Sequence, residues 1–368
     1  MAKFICPNCD QHIEAPDELA GEEISCPSCQ TRVKPMGFSP AGKLKLNIGP
    51  IDEPKKLSSQ EVSAVARQLI AGVERVIVGK HDRIELAVAT LMAEGHLLIE
   101  DVPGVAKTML ARALAQSAGC SFKRIQCTPD LQPTDVLGDT FMDAETGRPD
   151  FHFGPVFSQF VLVDEINRAS PRMQAALLEA MGEASVTAGK ITYMMAKPFM
   201  VIATENPIEQ QGTSPLPEAQ KDRFLIRLNM GYPELEDEKE MCERFRLGHP
   251  METLKPVTKP ENIVACQQSV REVMLSSDVC DYILSLVRTT REHPVLQLGA
   301  SPRGSLGLFR MAQAMAAIKG NNSVSIEQIK SLAPTVLAHR LIVKPERIHR
   351  YHDSREIIQD IIEGKKPD

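Results

Sequence analysis

The chain is 368 residues long, with 43% hydrophobic and 24% charged side chains, the composition of a folded protein large enough for two or three domains. Asp and Glu outnumber Lys and Arg by 48 to 42, a formal charge of -6, so no global basic field draws in nucleic acid or an anionic membrane. No run approaches the roughly eighteen uninterrupted apolar residues of a spanning helix, and no apolar signal-peptide core follows Met1, which predicts a cytoplasmic protein without membrane insertion.

The first predicted element is a zinc ribbon over residues 1–34. Cys6-Pro-Asn-Cys9 and Cys26-Pro-Ser-Cys29 have the spacing of a four-thiolate site built on two knuckles. Two residues between paired ligands let both thiolates face one ion, and so small a module needs more than burial to stay folded. With sulfur at all four positions the zinc is structural. The other five cysteines are scattered singly, as suits a reducing compartment. The ribbon carries three basic and six acidic side chains and one aromatic, Phe4, which equips it better for docking a protein than for gripping DNA.

Pro35, Gly37, Pro40, Gly42, Gly49, Pro50 and Pro54 interrupt any regular period, so residues 35–57 form a linker. A helix follows, with candidate N-caps Ser58 and Ser59 and an apolar stripe through Val62, Ala66, Leu69 and Val73. Apolar runs at 96–100, 122–127, 160–163, 199–203 and 224–228 then alternate with helical stretches, which predicts an α/β core over 58–232 with a parallel sheet between helices. Beyond it only the helical period persists, so 233–368 is an all-α domain, with helix starts at Ser301-Pro302 and at Ser325 ahead of Gln328.

The candidate strand at 96–100 runs into Asp101-Val102-Pro103-Gly104-Val105-Ala106-Lys107-Thr108 and then a helix. A strand, tight loop and helix N-terminus gather backbone amides around a phosphate, with Lys107 for the β and γ phosphates of ATP and Thr108 for magnesium. Asp101 and Ala106 depart from the general pattern, which has Gly there. The apolar strand 160–163 ends in Asp164-Glu165, a carboxylate for the metal and one to polarise the attacking water. The strand 199–203 ends in Thr204-Glu205-Asn206, whose amide can orient the same water, and Arg223 and Arg303 each stand at the edge of a predicted element. Singly these are commoner as surface hydrogen bonders; their order is what points to a nucleotide site.

The loop, DEINRA (164–169), ATENP (203–207), GTSPLPEAQKDRF (212–224) and SPRG (301–304), in this order, resemble the MoxR branch of the AAA+ ATPases over roughly 62–345. The resemblance implies a P-loop ATPase core, a helical lid and a ring of identical subunits, usually hexameric, with ATP at the subunit interfaces. It implies sensor 1 at Asn206, an arginine finger at Arg223 reaching the neighbouring subunit, the lid arginine of sensor 2 at Arg303, and adenine contacts at Val78-Gly79. Residues 126–138 and 183–196 resemble the family's insertions that face the central pore and touch the client. The implied work is remodelling or assembly of a protein client, often one with a von Willebrand factor A domain. The alternative is a nucleotide-gated DNA-binding regulator reading through the ribbon; its acidic charge and the lack of a GAFTGA loop stand against that.

Overall fold

The computed structural model describes residues 2–5, 12–15, 24–26, 32–33, 56–142, 149–188, 191–207, 213–246, 248–347, 351 and 353–365. Cys6, Cys9 and Cys29 lie outside them, as does the linker up to residue 55. Four short strands, β1 (Ala2–Ile5), β2 (His12–Ala15), β3 (Ile24–Ser25) and β4 (Arg32–Val33), form two antiparallel pairs. Cys26, directly after β3, is buried.

Helix α1 (Ser59–Glu74) starts at Ser58. The Ser58 hydroxyl accepts the Glu61 N–H, and the Glu61 carboxylate accepts the Ser58 N–H at 2.9 Å, a reciprocal capping box. α2 (His81–Met92) leads to the sheet, in which β5 (Leu97–Glu100), α3 (Lys107–Ser117), β6 (Phe122–Gln126), α4 (Pro133–Leu137) and the hairpin β7 (Gly138–Met142) and β8 (Pro149–Phe153) come first. They are followed by β9 (Phe160–Asp164), α5 (Pro171–Glu183), the hairpin β10 (Ser185–Ala188) and β11 (Ile191–Met194), β12 (Met200–Glu205), α6 (Glu218–Lys221) and β13 (Ile226–Leu228).

The five predicted runs form one parallel sheet in the order β13-β5-β12-β9-β6. Every residue of β9 and β12 is buried, which is why those strands read as continuous apolar runs and not as alternations. Parallel pairing brings the carboxyl ends of β5, β6, β9 and β12 to one edge of the sheet, where open α/β sheets bind ligands. Gln126 there pairs with Asp164, and Glu205 with Glu100.

The C-terminal region holds α7 (Leu235–Arg246), α8 (Pro250–Thr253), α9 (Pro260–Val270), α10 (Ser277–Glu292), β14 (Leu296–Leu298), α11 (Pro302–Ile318), α12 (Ile326–Leu337), β15 (Ile342–Val343) and α13 (Ser354–Glu363). The caps sit where expected: the Ser301 hydroxyl accepts the Arg303 N–H at 3.0 Å, and that of Ser325 accepts the Gln328 N–H at 3.2 Å. The all-α expectation needs one correction, because β14 and β15 pair antiparallel. At three and two residues they are too short to show a strand period. One hydrophobic cluster joins α1, α2 and α3 to α9, α10, α11 and α12, so core and lid share their packing across residue 232. Among the described residues no helix is long and apolar enough to cross a membrane.

The two hairpins pack on each other. Tyr193 of β11 stacks on Phe151 of β8 with ring centroids 4.9 Å apart, and Phe153 meets Tyr193 edge-on. On its other side β11 pairs antiparallel with β2, giving a four-stranded sheet in the order β1-β2-β11-β10. Sequence spacing suggests a module held apart by its linker; the structure instead attaches its β2 to the core.

Candidate nucleotide site

The loop after β5 is shaped by the two residues that depart from the general pattern. The Asp101 carboxylate accepts the Val102 N–H at 2.8 Å and the Gly231 N–H at 2.7 Å, fastening the loop to the chain beyond β13. Gly104 and Ala106 both adopt left-handed backbone, with φ of 87° and 62°. For Ala106 this costs about 1–2 kcal/mol, the physical reason that glycine is general at the position. Lys107 opens α3, and its ammonium donates to the carbonyls of Asp101 at 2.7 Å and Glu205 at 3.3 Å, bridging the ends of β5 and β12.

β9 delivers the two carboxylates. Asp164 Oδ1 accepts the Thr204 hydroxyl at 2.6 Å, and Oδ2 lies 3.5 Å from the Thr108 hydroxyl. Arg124 also grips Oδ2, through Nη2 at 2.7 Å and Nε at 3.1 Å. Glu165 is left-handed at φ 56°, and its N–H donates to the Thr204 hydroxyl at 2.9 Å. One hydroxyl on the neighbouring strand therefore fixes both residues. The Glu165 carboxylate accepts from Gln126 Nε2 at 3.2 Å and Arg168 Nη1 at 2.9 Å.

Asn206, 4% exposed, completes a pocket whose lining includes Pro103, Gly104, Ala106, Lys107, Thr108, Asp164 and Glu165. Val102 and Val105 belong to the loop but not to this lining, and Val105 is buried in the core. Val78 and Gly79 lie between α1 and α2, where Asp237 of α7 fills the space that a Cβ on Gly79 would take. Beside the site, burial pushes the Cys127 thiol up to about 12, with Asp164 and Glu165 adding to the effect, so it is neutral. Burial also raises Glu205 at the end of β12.

Arg223 and Arg303 stand elsewhere. They line a second pocket with Asp222, Arg310 and Arg340, and the two pockets share no residue. Arg223 Nη1 donates to the Leu178 carbonyl at 2.6 Å, and Gly182 makes room for it, since a Cβ there would lie 2.2 Å from that nitrogen. His96 in the same pocket accepts the Val201 N–H through Nδ1 at 3.0 Å and so donates from Nε2 to the Met181 carbonyl at 3.2 Å. Burial lowers its pKa to about 4.

Arg124 lies outside every motif, and Gln126, Arg168 and Thr204, though inside quoted segments, receive no role from them. The signal for the first two is positional: they alternate on β6, which pairs with β9 in a register that sets Gln126 against Asp164. Among the described residues no group of three or more His, Cys, Asp or Glu is arranged to hold a metal.

Residues 96–226 match the ATPase family associated with various cellular activities (AAA), and residues 288–361 match the AAA lid domain. The Mycobacterium tuberculosis protein named Chaperone MoxR1 is 39% identical over 292 residues, 77% of each chain. The chain belongs to the MoxR family of AAA+ ATPases. An uncharacterized relative, YeaC of Bacillus subtilis, is 45% identical over 307 residues, covering 83% of this chain and 96% of its own. A solved protein from Cytophaga hutchinsonii, provisionally assigned as an ATPase, superposes with a TM-score of 0.77 at 35% identity over 84% of this chain and 96% of its own. In this MoxR-family chain the AAA match spans both the loop and the carboxylate pair, and the lid match includes Arg303.

Proposed function

We propose that this MoxR-family protein hydrolyses ATP with magnesium as a ring of identical subunits, a hexamer by resemblance, and spends the turnover on remodelling or assembling a protein client. The observation that carries the reading is convergence: Lys107, Thr108, Asp164, Glu165 and Asn206 line one pocket at the carboxyl edge of the parallel sheet. The donor set fits the nucleotide and its metal. An ammonium at a helix N-terminus suits phosphates, and a hydroxyl 3.5 Å from a carboxylate oxygen suits a hard divalent cation.

In this reading the loop 102–106, through the N–H groups of Gly104, Val105 and Ala106, holds the phosphates together with Lys107, Val78 and Gly79 receive adenine, and Thr108 and Asp164 hold magnesium, which supplies charge neutralisation at the phosphates. Glu165 takes the proton of the attacking water, which Asn206 orients. Arg223 serves as the finger in the site of an adjacent subunit, a role supported by its separation from the pocket of its own chain, and Arg303 is the lid arginine of sensor 2. Support for a client comes from the name of the relative Chaperone MoxR1. A von Willebrand factor A domain protein is the proposed client type, from family resemblance. Cys6, Cys9, Cys26 and Cys29 are proposed to hold one structural zinc, on their spacing.

Two measurements test this. Purified protein should release phosphate from ATP only when magnesium is present. Glu165→Gln should keep nucleotide binding and lose about 10²–10⁴ in rate, while Lys107→Ala should lose binding itself. Magnesium-independent turnover, or an undiminished rate in Glu165→Gln, contradicts the assignment.

A further inference from the structure

Without β2, the β10–β11 hairpin would leave the outer edge of β11 unpaired, and an unpaired strand edge is a template for any extended chain. In this protein the edge is filled from within. β2 lies antiparallel along it with Glu14 opposite Thr192 and Ile13 opposite Tyr193.

A second contact reaches a different hairpin. The Ser25 hydroxyl, on β3, donates to Asp150 Oδ1 at 3.0 Å on β8. Asp150 neighbours Phe151, the ring on which Tyr193 stacks. β8 and β11 thus form one platform, and the N-terminal module spans both of its strands.

Strand pairing runs through main-chain groups, so the edge that takes β2 is chemically suited to other extended segments. The tether keeps β2 close, at an effective concentration on the order of mM, so an outside segment faces a standing competitor. We propose that the outer edge of β11 is a strand-acceptor site which this chain keeps occupied with its own β2, so that an extended polypeptide segment must displace the N-terminal module to pair there.

The test uses the full chain and no nucleotide, so its outcome is independent of the ATPase reading. Glu14→Cys with Thr192→Cys should form a disulfide between positions 14 and 192 under mild oxidation, found by peptide mapping. Glu14→Cys with Thr187→Cys should not, because Thr187 lies one strand further away on β10. A fluorescein-labelled peptide of residues 10–17 should bind the Ile13→Pro variant, in which β2 cannot pair, at least tenfold more tightly than it binds the oxidised double-cysteine variant. If Ile13→Pro unfolds the module, the edge is still vacated and the same result is expected. Absence of the 14–192 disulfide, equal peptide binding to the two variants, or no binding to Ile13→Pro overturns the proposal.

Discussion

Asp222 is bound by Arg340 and not by its neighbour Arg223: Arg340 Nε lies 2.8 Å from Asp222 Oδ1, while Arg223 donates to the Leu178 carbonyl. The Ser301 hydroxyl takes the other oxygen of Asp222 at 2.8 Å. The segment bearing Arg223 is therefore fastened to its own lid, and the guanidinium of Arg223 carries no carboxylate of this pair.

Removing the carboxylate leaves a guanidinium whose side chain is 3% exposed without its counter-charge. Asp222→Ala should then lose about 3 kcal/mol of stability, since breaking a buried pair from one side exposes the uncompensated charge to its full desolvation penalty. Urea unfolding measures it; a loss below about 0.5 kcal/mol, the range of ordinary surface substitutions, would show that the carbonyls of Phe224 and Leu225 suffice for Arg340.

The loop offers a pair of opposite signs. Ala106→Gly relieves about 1–2 kcal/mol of left-handed strain and forfeits about 0.4–1 kcal/mol through the freer unfolded chain, for a net gain of about 0.5–1 kcal/mol. Gly104→Ala, at φ 87°, should lose stability by a similar route. Thermal unfolding of the two variants should move the midpoint in opposite directions.

Acid should weaken the fold through His96. Its folded pKa of about 4 lies below the ordinary 6.5, so the unfolded chain takes up a proton in this window and the folded one does not. The stability from the neutral ring is complete above pH 6.5 and is lost as pH falls toward 4, on the order of 3 kcal/mol for the full shift. His339, buried against the Phe224 carbonyl, is lowered in the same sense and adds to the slope. Denaturation curves between pH 7 and pH 4 should steepen this way in the parent and flatten in His96→Phe; an equal slope in both would remove His96 as the source.

Thr204 couples the two carboxylate residues, so Thr204→Val should leave nucleotide binding nearly intact and lower turnover by about 10–100-fold, the usual range for groups that orient a metal site's ligands. Equal losses in binding and turnover would point to a disturbed sheet instead.

What was legible in the sequence is what neighbouring residues encode. Lys107 and Thr108 announce themselves by following a strand and a tight loop, and Ser58, Ser301 and Ser325 by standing before helical periods. Arg124 and Gln126 were not legible, because their meeting with Asp164 and Glu165 arises only when β6 pairs with β9. Thr204 needs the adjacency of β12 and β9 in the same way. The attachment of β2 to β11 leaves no trace in spacing, since main-chain pairing asks little of side chains. That Arg223 and Lys107 belong to different sites is implied by the family resemblance alone; the topology sets them in different pockets.

Mixing variants tests the shared site most directly. Arg223→Ala and Glu165→Gln should each be nearly inactive, the first because a finger arginine is worth about 10³–10⁵ in rate. A mixed ring contains interfaces where an intact Glu165 meets an intact Arg223 from the next subunit, so phosphate release should recover on mixing, with mixed rings verified by native mass spectrometry. Parental turnover in Arg223→Ala alone, or no recovery at any ratio in verified mixed rings, would contradict a site completed by its neighbour.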